Sequence, residues 1–317
     1  MKIKFWGVRG SIGSAITSDE VESKIRRVLT LASPADILTP LNIDNFLETL
    51  PFSLKGTYGG NTTCVEVRSN NDDVFIIDGG TGLRRLGLDL MKEERMRGNA
   101  NINFLFTHSH WDHIQGLMFF PPVYIPGNNV NFFSCVENME ERLRYQQVKT
   151  HFPIGFDDFN ANKTFTHFKE GEIIKKEGIE ILGKSVRHPG GCYSYKLKED
   201  DKSFIFCSDA EFNIEFIDDI QNYVEYFKDA DVLVFDTQYT FEESLHKIDW
   251  GHSSAAIATD LALKSNVKTL VLFHHEPTYN DDKMDEVTLQ ALKYKEMMAR
   301  DSELKIVTAY EGLEINI

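Results

Sequence analysis

Phe104-Leu-Phe-Thr-His-Ser-His-Trp-Asp-His113 is the stretch on which the reading of this chain turns. The apolar run from Ile102 to Phe106 has the length and composition of a short buried strand. It stops abruptly at His108, His110, Asp112 and His113, three imidazoles and a carboxylate within six residues. Histidine is the commonest metal ligand near neutral pH, and a neighbouring carboxylate suits hard or borderline divalent ions. In a loop leaving a strand, alternate residues can point the same way. His108 and His110 can then grip one ion while Asp112 and His113 turn towards a second. A lone strand-end histidine is usually hydrogen-bonded or solvent-facing, but four ligand-type side chains packed this closely favour a metal centre.

Apolar strands ending in polar side chains recur downstream. Ile179–Arg187 runs into His188-Pro-Gly-Gly-Cys-Tyr193, and Ser203-Phe-Ile-Phe-Cys-Ser ends at Asp209. Asp231-Val-Leu-Val-Phe ends at Asp236, which has no evident ligand role and reads as structural. Lys268-Thr-Leu-Val-Leu-Phe ends in His274-His275. His252 precedes a helix running to Lys264, with Ser253 as its expected cap. Asp78 follows a hairpin of Thr62–Arg68 and Val74–Ile77. It either orients a ligand histidine or caps a helix from Leu83 to about Arg97, and both roles stay open. His151 and His167 lie in or beside the aperiodic stretch Thr150–Thr166 and read as structural. Gly7-Val-Arg-Gly-Ser-Ile-Gly13 lacks the Gly-Lys-Ser/Thr ending and following helix of a P-loop; a tight bend explains it at least as well as an anion site.

The 317 residues, 42% hydrophobic and 26% charged, are ordinary for a soluble globular protein. They are read as one domain over 1–317, with a helical insertion at about 14–55 built from patches at Glu20–Leu31 and Ile43–Leu50. The insertion is either a lid or surface decoration, and decoration is favoured. Nothing approaches the length of an apolar membrane span, and the opening Met1-Lys-Ile-Lys-Phe-Trp6 reads as a strand, so a cytoplasmic location is expected. Cys64, Cys135, Cys192 and Cys207 show no C-x-x-C pairing and are expected to be reduced, buried hydrophobes. A formal net charge of −15 disfavours nucleic-acid backbones as partners.

The pattern His-x-His-x-Asp-His after an apolar strand resembles the metallo-β-lactamase-fold hydrolases. That resemblance implies an α/β fold, an αββα sandwich of two mixed sheets face to face with helices outside. Asp231–Thr240, Gly251-His-Ser-Ser254 and the strand ending in His274 are similar to the RNase Z branch, which includes small cyclic-phosphate phosphodiesterases. The branch's His-Ser-Thr motif stands here as His252-Ser253-Ser254. Phe5–Ser11 and Tyr58-Gly-Gly-Asn-Thr-Thr-Cys64 look like a bacterial subgroup of uncharacterised hydrolases of the same fold.

The resemblance implies a ligand set: His108, His110 and His188 on one divalent ion, Asp112, His113 and His274 on the other, and Asp209 bridging. His275 is the reserve for His274. Catalytic roles fall to Asp112 and to His252, the latter as general acid. The two ions are expected to be zinc, with manganese or iron fitting as well. The implied function is phosphodiester hydrolysis by metal-activated hydroxide, acting on a small substrate such as a cyclic nucleotide or cyclic phosphate. The alternatives are an RNase Z-like tRNA 3′-processing endonuclease and a non-catalytic metal sensor. A large RNA is disfavoured, because no glycine- and lysine-rich arm is evident between the histidine cluster and His188. A homodimer is expected by analogy alone.

Overall fold

Phe204 and Phe206 face one side of their strand, Ile205 and Cys207 the other, and all four are fully buried. A strand apolar on both faces has to be covered on both, which requires layers. The computed structural model describes residues 1–212 and 217–317. In chain order its strands are β1 (Lys2–Gly7), β2 (Cys64–Arg68), β3 (Val74–Ile77), β4 (Asn101–Leu105), β5 (Asn129–Ser134), β6 (Asn162–His167) and β7 (Ile173–Lys176). They continue with β8 (Ile179–Val186), β9 (Cys192–Glu199), β10 (Lys202–Cys207), β11 (Val232–Asp236), β12 (Thr269–Phe273), β13 (Lys305–Thr308) and β14 (Glu314–Asn316). Among the described residues they form two seven-stranded sheets, β14-β1-β2-β3-β4-β5-β6 and β13-β12-β11-β10-β9-β8-β7.

Three apolar clusters hold the layers together. The central one joins Ile3, Phe5, Val65 and Phe75 of the first sheet to Leu197, Phe204, Val234 and Phe273 of the second. A second cluster lies behind the first sheet, where Phe104 and Phe106 meet Leu83, Leu86 and Leu90 of the helix Leu83–Leu90. The third lies behind the second sheet, under the helices Ala255–Lys264 and Asp281–Met298. This is the expected αββα sandwich.

Strand direction decides where polar groups gather. β3, β4 and β5 run parallel, as do β10, β11 and β12. β8 is two antiparallel pairings from β10 and so runs in the same direction as it. At the shared edge the sheets are tied by main-chain bonds, Gly10 N–H to His275 O and His275 N–H to Val8 O, each 3.0 Å. The buried Arg9 guanidinium donates to Gly59, Glu276 and Tyr279 carbonyls beside them.

Several local expectations shift. The helix after Asp78 stops at Leu90, and Glu94–Arg97 is a separate 3-10 turn. The aperiodic region ends in β6, an edge strand too exposed to carry an apolar pattern. Ser254, not Ser253, caps the helix Ala255–Lys264. Ser253 is fully buried, donating to Ala210 O at 2.5 Å and accepting from Phe212 N at 3.0 Å. Within residues 14–55, Ser18–Leu31 and Pro40–Thr49 are helices without one buried residue. Lys24 and Arg27 pair there with Asp281 and Asp282 of the last helix. All four cysteines are free and buried, and no described helix is long and apolar enough to cross a membrane.

Tyr195 on β9 pins the first sheet's edge from the second. Its hydroxyl donates to Phe106 O at 2.7 Å and accepts from Cys135 N at 3.0 Å, with no solvent exposure. Tyr195→Phe strands the Cys135 amide inside the core. It should therefore lower unfolding free energy by about 1–3 kcal/mol in denaturant titration, with an unchanged slope.

Candidate metal centre

Six strand ends feed one cluster. β4 delivers His108, His110, Asp112 and His113; β8 delivers His188, β10 Asp209, β11 Asp236 and β12 His274; β3 delivers Asp78 behind them. Asp78, Asp209 and His274 have φ of 59°, 52° and 59°, a left-handed backbone that L-residues rarely adopt. Such strain at strand ends marks positions fixed by their surroundings.

The geometry divides around Asp209. Its Oδ1 lies 3.0 Å from His113 Nε2 and 3.1 Å from His274 Nε2, and its Oδ2 lies 3.7 Å from both His108 Nε2 and His188 Nε2. Asp112 Oδ2 is 3.2 Å from His113 Nε2 and from His274 Nε2. His188 Nε2 and His110 Nδ1 are 3.0 Å apart. Ligand-type atoms of His108, His110, His188 and Asp209 all lie within 4.8 Å of one another, and so do those of Asp112, His113, Asp209 and His274. His110, at the rim, is the one exposed member.

Outer contacts fix the rings. His113 Nδ1 is 2.8 Å from Asp78 Oδ2, His274 Nδ1 is 3.0 Å from Gln238 Oε1, and His188 Nδ1 is 2.9 Å from Gly251 O. Thr107 donates to Asp78 through both its amide and its hydroxyl. Asp112 Oδ2 accepts the Ser11 amide at 2.8 Å, and Asp209 Oδ1 accepts the Ser208 hydroxyl at 2.6 Å. Each outer bond leaves the ring's other nitrogen facing the cluster, the usual arrangement for metal-ligating histidine.

The electrostatics are those of a cage short of positive charge. Burial and the nearby His113 push the His108 imidazole well below its ordinary range. Burial acts on His113 too, yet Asp209, Asp112 and Asp78 outweigh it and hold its proton well above that range. Burial pushes the Asp112 and Asp209 carboxyls up, but the surrounding imidazoles bring both well below the usual carboxylate range. His108 Nε2 and His113 Nε2 are buried without a hydrogen-bond partner, although carboxylate oxygens stand nearby. Unsatisfied buried nitrogens among buried carboxylates fit divalent cations, since buried charges are paired or coordinate metals. The nitrogen and oxygen donors suit zinc, manganese or iron.

Beside the cluster, His252 Nδ1 donates to Asp236 Oδ2 at 2.7 Å. Burial lowers the proton affinity of His252, but Asp236 outweighs it and raises the pKa to about 9. His252 lines a cavity of about 370 Å³ with Ser11, Ser109, His110, Trp111, Asp112 and Asp209. No residue of 14–55 lines it.

A family profile described as a beta-lactamase superfamily domain matches residues 75–275. The chain belongs to that superfamily. It is a metal-dependent hydrolase of the metallo-β-lactamase fold. Ribonuclease Z of Archaeoglobus fulgidus is 22% identical over 285 residues, covering 71% of this chain and 87% of that protein. The metallo-β-lactamase fold protein YhfI from Bacillus subtilis superposes with a TM-score of 0.64 at 13% identity, over 99% of this chain and 98% of its own. A diphosphatase from the PhnP family gives 0.61 at 17% identity, over 100% and 97%.

The structure brings together all seven side chains expected as ligands, with His274 inside the cluster. His275 lies outside it, donating from Nε2 to Ala309 O at 2.8 Å, while burial and Arg9 lower its pKa to about 3. Asp236 is not the merely structural residue the sequence suggests, because it holds His252. Asp78 orients His113, and no side chain caps the helix that follows it. His151 stands apart, lining a neighbouring groove. The glycine-rich bend supplies the Ser11 amide and, at Gly10, room. A Cβ there would sit 2.5 Å from His274 ring atoms. Gly10→Ala is therefore expected to displace that ring and lower the divalent metal retained by the purified chain. Unchanged metal content in a folded variant would count against His274 as a ligand.

Proposed function

We propose that the chain is a dinuclear-metal-dependent phosphodiesterase acting on a small phosphodiester. In this reading His108, His110 and His188 hold one ion, Asp112, His113 and His274 hold the other, and Asp209 is shared. The observation that carries it is the division of the Asp209 carboxylate, each oxygen facing a different set of imidazoles. A bound ion pair supplies Lewis acidity for charge building on phosphoryl oxygens and acidifies water towards neutrality. His252 gives the leaving oxygen its proton from Nε2, while Asp236 keeps the Nδ1 proton and the ring's orientation. The cavity of about 370 Å³ suits a small ester group at the reacting centre. Four free, buried cysteines suit a reducing cytoplasm.

A second reading, an endonuclease maturing RNA 3′ ends, is favoured by the Ribonuclease Z relatives. They weaken the argument from net charge against a large nucleic acid. Cleavage of a precursor transcript by the metal-loaded chain would move the substrate to that class.

The test is hydrolysis of bis-p-nitrophenyl phosphate with added zinc or manganese, expected to vanish with chelator. No hydrolysis by fully loaded protein overturns the proposal. His252→Ala should lower kcat by roughly 10²–10⁴-fold while metal content stays intact. Metal loss in that variant would make His252 a ligand rather than the acid. The pH profile adds a further check. Catalysis needs protonated His252, so the rate falls as pH rises through its pKa, which burial lowers but Asp236 raises above the ordinary imidazole range. Asp236→Asn should shift that alkaline limb to lower pH; an unmoved limb would assign it to another group.

A further inference from the structure

Trp111 stands between His110 and Asp112, at the start of the short helix Trp111–Ile114, with 77% of its surface exposed. A tryptophan this bare contributes little to packing, and exposed aromatic surface beside a reacting centre calls for an occupant. Its ring lines the metal-centre cavity and also a second, larger cavity of about 1000 Å³. The two spaces share Ser109 and Trp111 as lining residues, so they adjoin each other beside the metal cluster.

The larger cavity's walls include Phe119, Tyr145 and Phe152. Tyr145 is 74% exposed and Phe119 49%, and the Phe119 and Phe152 rings meet edge-on at 5.4 Å. Arg142 sits at the seam, its Nη1 donating to the Ser109 hydroxyl at 3.1 Å, a cation beside the centre in a chain of net charge −15. Flat rings and the Arg142 cation, with the Glu141 carboxylate on the same wall, adjoin a phosphodiester centre and match a nucleobase carried next to the scissile phosphate.

We propose that this groove is the specificity subsite of the enzyme and takes the nucleobase of a linear nucleotide diester. Trp111 is the stacking platform, and Arg142 faces the phosphate side. The inference rests on the phosphodiesterase reading and narrows it. An aromatic groove adjoining the metal-centre cavity fits a base carried on a linear diester better than a closed cyclic one.

The experiment compares kcat/KM for the dinucleotide ApA, its abasic counterpart and cyclic AMP, using zinc-loaded protein whose metal content is measured in every variant. ApA should be preferred over both. Trp111→Ala should lower the ApA-to-abasic ratio about tenfold, chiefly through KM, and Trp111→Phe should retain most of it. An unchanged ratio in Trp111→Ala, or preference for cyclic AMP, overturns the subsite. A second readout needs no turnover: adenosine 5′-monophosphate should quench tryptophan fluorescence in a Trp250→Phe background, and Trp111→Phe should abolish that quenching. If loaded protein hydrolyses none of the diesters, the phosphodiesterase reading fails and quenching alone decides the subsite. Loss with Trp111→Phe supports the subsite; equal or absent quenching overturns it.

Discussion

A single buried carboxylate, that of Asp209, sets the terms for everything around it. Charge in a region that excludes water is tolerable only beside opposite charge or a metal. Asp209 has Asp112 as a neighbour and Asp78 one ring further out, with His113 between them. Burial lowers the proton affinity of His113, but these carboxylates outweigh it and hold its pKa well above the ordinary imidazole range. Two divalent cations would balance this negative charge and would use the imidazole nitrogens that have no hydrogen-bond partner.

The sandwich exists to make that cluster affordable. Its three apolar layers hold strands of common direction so that their ends meet at one edge. Tyr195, Arg9 and the Gly10–His275 main-chain bond lock the two sheets there. The left-handed residues Asp78, Asp209 and His274 spend some of that packing energy on turning side chains inward. Trp111 is the counterexample, a large apolar side chain that the fold leaves uncovered beside the reacting centre.

The strands were legible in the sequence because apolar runs ending in His or Asp are local patterns, whereas their stacking into a sandwich came from the family resemblance. His108, His110, Asp112 and His113 are legible for the same reason, lying within one turn of chain. His188, Asp209 and His274 needed the resemblance to order them, since no local rule separates a ligand aspartate from a turn former. Asp236 was missed because its partner His252 is 16 residues away and meets it only through space. Its place at the end of a buried strand, like that of Asp209, was the available signal. Ser253 and Ser254 are alike in sequence, and only packing against the loop after β10 distinguishes them. The edge strands β6 and β7 carried too little apolar pattern to be read cleanly.

The most direct test of the central claim is anomalous X-ray scattering from crystals of the zinc-loaded chain. Two peaks per chain, one on each side of the Asp209 carboxylate and within bonding distance of the two imidazole sets, are the predicted result. A single peak, or none among these side chains at full zinc loading, would contradict the account.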